Sequence, residues 1–108
     1  MSDERSRPDD LESAVLAWIA QRHGLALDPS SLRVEHREST GAGRSTSFRS
    51  DSTTWDRPPL EGPTITSPEL EFGAGSLLWL VAGEPACLEL FAYGATLPGR
   101  LTPFGLSS

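Results

Sequence analysis

Glu89, Tyr93 and Arg37 are the residues of this sequence whose types and positions suit acid–base or binding chemistry. Glu89 stands between two leucines, and a carboxylate in such surroundings must be paired with a cation or be neutral. Alternation along a strand places Tyr93 on the same face as Glu89. We expect Arg37, from an earlier strand, beside Glu89, because a guanidinium binds a carboxylate with two hydrogen bonds. A structural ion pair, or a glutamate exposed at a sheet edge, explains such a carboxylate more readily than a catalytic acid.

Trp55 is a candidate of a second kind, for binding a partner. It lies in the middle of residues 50–63, a stretch rich in Ser, Thr, Asp, Gly and Pro that predicts a long irregular loop. Aromatic side chains carry much of the binding energy at protein interfaces, so a tryptophan in a loop suits an interaction site. A tryptophan that folds back onto the core is an equally good interpretation of the same position.

Other chemistries lack a complete set of residues. No Gly-x-Ser-x-Gly motif supplies an activated serine. His36 has Glu35 and Glu38 beside it, but strand alternation turns Glu35 to the opposite face, so the three do not form a metal site. The Gly-Ala-Gly motifs at 41–43 and 73–75 precede strands rather than the helix N-terminus that a phosphate-binding loop requires. We therefore predict no catalytic residue, no metal ligand and no cofactor.

One helix is the first of the elements that must position these residues. Asp9 suits an N-cap, Glu12 completes a capping box three residues later, and Gly24 suits the left-handed residue that ends a helix. These signals predict a helix over 10–23. The apolar stripe that we expect to pack on a sheet consists of Leu11, Val15, Trp18 and Ile19.

A strand is predicted from Leu32 onward, because apolar and polar residues alternate there. In this strand Val34 and His36 face the core and Arg37 lies on a charged outer face. The glycines at 41–43 then reverse the chain, which returns as a polar edge strand.

The strongest strand signal lies near the C-terminus. Residues 76–82 and 86–93 are apolar runs joined by Gly, Glu and Pro at 83–85, a pattern that predicts an antiparallel hairpin. A preceding strand at 69–72 is expected to break at the glycines of 73–75.

Together these elements predict an α+β fold, with one N-terminal helix packed on an antiparallel sheet of about four to five strands. Residues 1–8 are predicted to form a frayed N-terminus, and residues 9–108 a single domain. A chain of 108 residues is long enough to bury one modest core.

Composition narrows the class of partner. The chain has 15 acidic and 9 basic residues and a formal charge of −6, which disfavours nucleic acid and anionic membranes and suits a basic protein partner.

The single cysteine, Cys87, allows no internal disulfide and is predicted to be a small buried side chain. Because neither a secretory signal nor a bilayer-spanning apolar stretch is found, we expect a cytoplasmic protein. The absence of lysine and asparagine indicates a GC-rich bacterial genome.

A further pattern combines Gly-x-Gly at 73–75, an apolar strand at 77–80, Leu-Glu at 88–89 and Tyr93. This pattern resembles the hairpin of a family of small, uncharacterised bacterial proteins. Leu90 departs from the pattern, since the family tends to have glycine there. The resemblance implies the hairpin and the fold, and it implies no activity.

Two functions from different classes fit these observations. The first is a small acidic interaction module, immunity-like or accessory, that binds another protein and uses Trp55. The second is a small-molecule enzyme or ligand-binding domain that uses Glu89, Tyr93 and Arg37 in a cleft at the sheet edge. Convergent polar groups in a cleft would favour the second function, and a flat acidic face would favour the first.

Overall fold

The structure is a computed structural model that describes residues 7–48, 58–94, 96–98, 101 and 103–107. Its helix, α1 (Asp10–His23), agrees with the predicted bounds. The side chain of Asp9 accepts a hydrogen bond from the backbone N–H of Glu12 at 2.8 Å, and the side chain of Glu12 accepts one from the N–H of Asp9 at 2.9 Å. Gly24 ends the helix with φ at 70°. The predicted capping box and C-terminal glycine are therefore confirmed.

One face of α1 is buried against the sheet. Trp18, which we expected in the buried stripe, is only half-buried and packs at the margin of the core. Glu12, predicted only as a capping residue, has no exposed surface. The buried residues of α1 are Leu11, Glu12, Val15, Leu16, Ile19 and Ala20.

The sheet contains seven strands among the described residues, more than the predicted four to five. All neighbouring strands are antiparallel, in the order β1-β2-β6-β5-β4-β7, and β3 also pairs with β5. The α+β class and the helix-on-sheet packing are confirmed. The strands are β1 (His36–Ser39), β2 (Gly43–Ser47), β3 (Leu60–Glu61), β4 (Thr64–Ser67), β5 (Leu70–Val81), β6 (Glu84–Ala92) and β7 (Gly105–Ser107).

The long hairpin of β5 and β6 forms the centre of the sheet, as predicted. Its turn consists of Ala82 and Gly83, with φ at 54° and 81°, the positive values that a tight two-residue hairpin turn requires. The predicted turn at 83–85 is therefore displaced, because Glu84 and Pro85 belong to β6. The predicted break at 73–75 is wrong, because β5 runs through these residues without interruption. Gly73 instead has φ at 78° and lies where β5 shifts register against β4, so the glycine permits a bulge.

The first strand begins later than predicted, and its faces are reversed. β1 starts at His36, and the N–H of Glu35 already donates to the carbonyl of Ser47 although His36 is the register partner of Ser47. This irregularity breaks the alternation that follows Val34, which is buried. His36 is therefore exposed, and Arg37 points toward the helix. Both face assignments predicted for these two residues are wrong.

Alternation along the strands gives the sheet two distinct faces. The helix side carries the core against which α1 packs, including Ile65, Leu78, Leu88 and Leu90. We call the face of the sheet that points away from α1 the outer face. On this face the side chains of β5 and β6 are half-buried or exposed, except for Cys87, which is buried. These outer-face side chains of β5 and β6 include Leu77, Trp79, Val81, Glu84, Cys87, Glu89 and Phe91.

Some predictions fall on residues that the structure does not describe. Trp55 lies outside the described residues, within 49–57, and so do residues 1–6 of the expected frayed terminus. The predicted loop 50–63 is wrong at its end, where Leu60–Glu61 form β3 and pair with β5. Within the described ranges, no helix has the length and apolar character needed to cross a membrane.

Candidate functional site

Arg37 binds the helix rather than Glu89. Its Nε donates a hydrogen bond to Oε2 of Glu12 at 3.0 Å, and its Nη2 donates to Oε1 of Glu12 at 2.7 Å. The same Nη2 donates to the carbonyl of Arg7 at 2.7 Å. Arg37 therefore ties the start of α1 to β1, and the predicted pairing of Arg37 with Glu89 is wrong.

Strand register explains this difference. Arg37 stands opposite Thr46, and Thr46 stands opposite Leu88, so these three side chains share the helix side. Glu89 belongs to the neighbouring row, opposite Ser45, and points to the outer face. Because successive side chains alternate between the two faces, a displacement of one residue places two groups on opposite faces of the sheet.

Glu12 collects hydrogen bonds from several elements. The Oγ1 of Thr46 donates to Oε2 of Glu12 at 2.6 Å. Arg44 places its Nε 3.4 Å from the same Oε2 and its Nη2 3.2 Å from Oδ2 of Asp9. We call Asp9, Glu12, Arg37, Arg44 and Thr46 the helix-start cluster.

The charges of the helix-start cluster stabilise one another. Burial raises the pKa of Glu12 and is the largest single influence on it, but hydrogen bonds from Arg37, Thr46 and the N–H of Asp9, with the charge of Arg44, outweigh it. The resulting pKa lies below the ordinary value of 4.5. The hydrogen bond to Glu12 raises the pKa of Arg37. Glu12 is therefore a buried structural anion at neutral pH, not an acid ready to give up a proton.

Glu89 has a different partner. Its Oε1 accepts a hydrogen bond from the indole Nε1 of Trp79 at 2.8 Å, and its side chain is half-buried on the outer face. Partial exposure to water and one neutral donor satisfy this carboxylate without an arginine.

Tyr93 lies beyond Glu89 along the same face and is 45% exposed. Its ring meets that of Phe91 edge to face, with centroids 5.7 Å apart. Both rings lie over Gly75, since a Cβ at that position would lie 2.4 Å from the Tyr93 hydroxyl and 2.5 Å from the Phe91 ring. The glycine leaves the space that lets the two rings cover the strand.

These observations define a feature that we call the apolar strip. It runs along the outer face of the two central strands and is separate from the helix-side core. Polar residues lie on both sides of it: Ser45 and Ser47 on β2, and Glu61 on β3. Thr64 and Thr66 on β4 lie farther along the same face. The strip consists of Leu77, Trp79, Val81, Phe91 and Tyr93.

The structure brings only part of the predicted set together. Glu89 and Tyr93 share the outer face, whereas Arg37 lies on the helix side, so the three do not line one cleft.

Cys87 is buried as predicted, and burial raises the pKa of its thiol. Phe72 is 64% exposed and lies against Gly94, outside the apolar strip.

The described residues form neither a cluster of metal ligands nor a cleft with convergent catalytic groups. No group of three or more His, Cys, Asp or Glu side chains there is placed to hold a metal ion. An open cavity of about 420 Å³ follows the edge strand and is lined by Val34, Glu35, His36 and Arg37. The guanidinium of Arg37 is bound to Glu12, so this cavity offers no convergent set of catalytic groups.

Sequence reasoning missed the role of Glu12, although a signal was present. Glu12 precedes Val15, Leu16 and Ile19 by three, four and seven residues, which places it on the apolar stripe of the helix. A charged residue at such a position requires a buried counter-ion. The identity of that counter-ion depends on strand register, which no local pattern specifies.

Comparisons with known proteins found no matching family model, no matching curated protein and no matching solved structure.

Proposed function

We propose that this chain is a small interaction module, immunity-like or accessory, that binds a basic protein through the apolar strip. The observation that carries the proposal is the row of large side chains on the outer face. An antiparallel sheet that has one face in water normally carries polar residues on that face. Here the outer face of β5 and β6 carries Leu, Trp, Val, Phe and Tyr.

Core formation does not account for these side chains. The helix side already forms the hydrophobic core with α1, and α1 contacts β3 and β5 from that side. Apolar surface that stays partly exposed marks binding sites. Aromatic residues are enriched among the side chains that contribute most of the binding free energy at interfaces.

Charge supports a basic partner. The chain carries a formal charge of −6. The arginines on the described strands are Arg37 and Arg44, and both point to the helix side, where Asp9 and Glu12 bind them. The outer face therefore presents carboxylates without a neighbouring strand arginine, which attracts cationic side chains.

The same charge disfavours a second copy of the chain as the occupant. Packing two identical outer faces would bring the carboxylates of both copies close to a shared apolar interface. Like charges in such a setting cost free energy, because burial weakens their screening by water.

Site-specific photo-crosslinking tests the proposal. A photoreactive phenylalanine is placed on the outer face at Ser45 or Thr66 and, as matched controls, on the exposed surface of α1 at Ala17 or Gln21. The variants are irradiated in lysate of the organism that encodes the chain, and crosslinked products are identified by mass spectrometry. We expect one basic protein to be crosslinked from the outer-face positions and not from the helix positions.

Four results would overturn the proposal. Crosslinks only from α1 would place the interface elsewhere. An acidic partner would contradict the charge argument, and a crosslink to a second copy of the chain would make the strip a dimer interface. Lack of any specific product from the outer face, with the variants folded, would also count against it.

A further inference from the structure

The apolar strip has carboxylates on both of its sides, and strand register places them in one row. Glu38 stands opposite Ser45, and Ser45 stands opposite Glu89. Glu89 stands opposite Leu77, and Leu77 stands opposite Glu61 on β3. The row across the outer face is thus Glu38, Ser45, Glu89, Leu77 and Glu61.

Exposure separates the members of this row into a centre and two margins. Glu38 and Glu61 are exposed, whereas Glu89 and Leu77 at the centre are half-buried. Neighbouring strands lie about 4.8 Å apart, so the backbones that carry the two outermost glutamates stand about 19 Å from each other. The two central strands that carry the strip are about 10 Å wide together with their side chains, close to the 10–12 Å diameter of a helix.

We infer that the element of the partner that binds this strip is an amphipathic helix with Lys or Arg on both sides of its apolar stripe. This inference rests on the proposed function and specifies the partner's chemistry. A helix lying along β5 and β6 would bury its apolar stripe on Trp79, Leu77 and Phe91. Its basic side chains would reach Glu38 on one side and Glu61 on the other.

A partner strand fits this surface less well than a helix. Strands bind proteins chiefly through backbone hydrogen bonds at a sheet edge, and β5 and β6 are not edge strands, because each has a neighbouring strand on both sides. A helix needs no such groups, because its own backbone is satisfied internally. The other face of the sheet already binds a helix, α1, in this way.

A peptide titration tests the inference. The probe is a 14-residue peptide of Leu and Lys whose leucines recur with helical spacing, compared with a peptide of the same composition in scrambled order and with a Leu/Glu version. Binding is followed by amide chemical shifts of the full chain. We expect saturable shifts centred on β5 and β6 with the Leu/Lys peptide, and binding about tenfold weaker or worse with both controls.

Charge reversals on the chain sharpen the test. Glu38→Arg and Glu61→Arg each replace an exposed margin carboxylate, and Glu69→Arg makes the same change of charge at an exposed glutamate outside the row. We expect each margin variant to bind the Leu/Lys peptide about tenfold more weakly. Glu69→Arg is expected to stay within about twofold of the unmodified chain, at a matched salt concentration.

The outcomes separate this inference from the proposed function. Equal binding of the scrambled peptide, or equal effects of Glu61→Arg and Glu69→Arg, would overturn the helix inference. If the outer-face crosslinks to a basic protein are still found, the proposed function survives that result. If crosslinks arise only from α1 while the Leu/Lys peptide binds the strip as expected, the proposed function fails and the peptide selectivity stands.

Discussion

A glutamate lies among apolar side chains on each side of the sheet, Glu12 of α1 on one side and Glu89 of β6 on the other. The two carboxylates have contrasting surroundings. Glu12 on the helix side has no exposed surface and accepts hydrogen bonds from Arg37, Thr46 and the N–H of Asp9. Glu89 on the outer face is half-buried and accepts one hydrogen bond, from the indole of Trp79.

The difference shows how burial determines the number of partners that a charge needs. A carboxylate removed from water loses its hydration and must be surrounded by donors and cations. A carboxylate that keeps contact with water requires fewer donors and cations from the protein. The helix side therefore contains a structural ion cluster, whereas the outer face keeps a carboxylate and large apolar side chains partly in contact with water.

The largest expected effect comes from removing the charge of Glu12. Glu12→Gln removes the anion that Arg37 binds and one of the two carboxylates beside Arg44, and both guanidinium groups are mostly buried. We expect the free energy of unfolding to fall by about 3–5 kcal/mol, measured by urea denaturation followed by circular dichroism. A loss below about 1 kcal/mol would mean that the cluster is no more critical than a surface ion pair.

Acid is expected to weaken the same cluster in the unmodified chain. The folded pKa of Glu12 lies below its ordinary value of 4.5, so the unfolded state binds protons more readily than the folded state as the pH falls below that value. The stabilisation by Glu12 is thus fully present above pH 4.5 and is lost as the pH falls through the folded pKa. Urea midpoints from pH 7 down to acid pH measure this. An equal acid dependence in Glu12→Gln would assign the effect to other groups.

A pair of leucine substitutions compares the packing of the two faces. Leu88 of β6 is fully buried on the helix side. Leu77, on the adjacent strand β5, is half-buried on the outer face. We expect Leu88→Ala to cost about 2–4 kcal/mol of unfolding free energy through a core cavity. Leu77→Ala is expected to cost about 1 kcal/mol, because part of its side chain already meets water. Equal losses would show that both faces are closed cores.

Glu89→Gln is the smallest expected change and the matched control for Glu12→Gln. The amide oxygen of glutamine can still accept the hydrogen bond of Trp79, so we expect a loss of at most about 1 kcal/mol in the same urea measurement. A loss comparable to that of Glu12→Gln would mean that Glu89 has a cationic partner in solution.

Much of the local structure could be predicted from the sequence. The helix bounds and the capping box of Asp9 and Glu12 depend on groups three residues apart, and the β5–β6 hairpin depends on two apolar runs around a short turn. The partner of Arg37 could not be predicted. An irregularity at Glu35 reverses the faces of β1, and no local preference of these residues requires it.

The sequence by itself determined the α+β class, the capped helix and the central hairpin, because each depends on interactions within a short stretch of chain. Only the tertiary structure decided that Glu12, and not Glu89, receives Arg37, and that large side chains remain on the outer face. Those outcomes depend on strand register, where a displacement of one residue moves a side chain to the other side of the sheet. Pairing between strands distant in sequence sets that register.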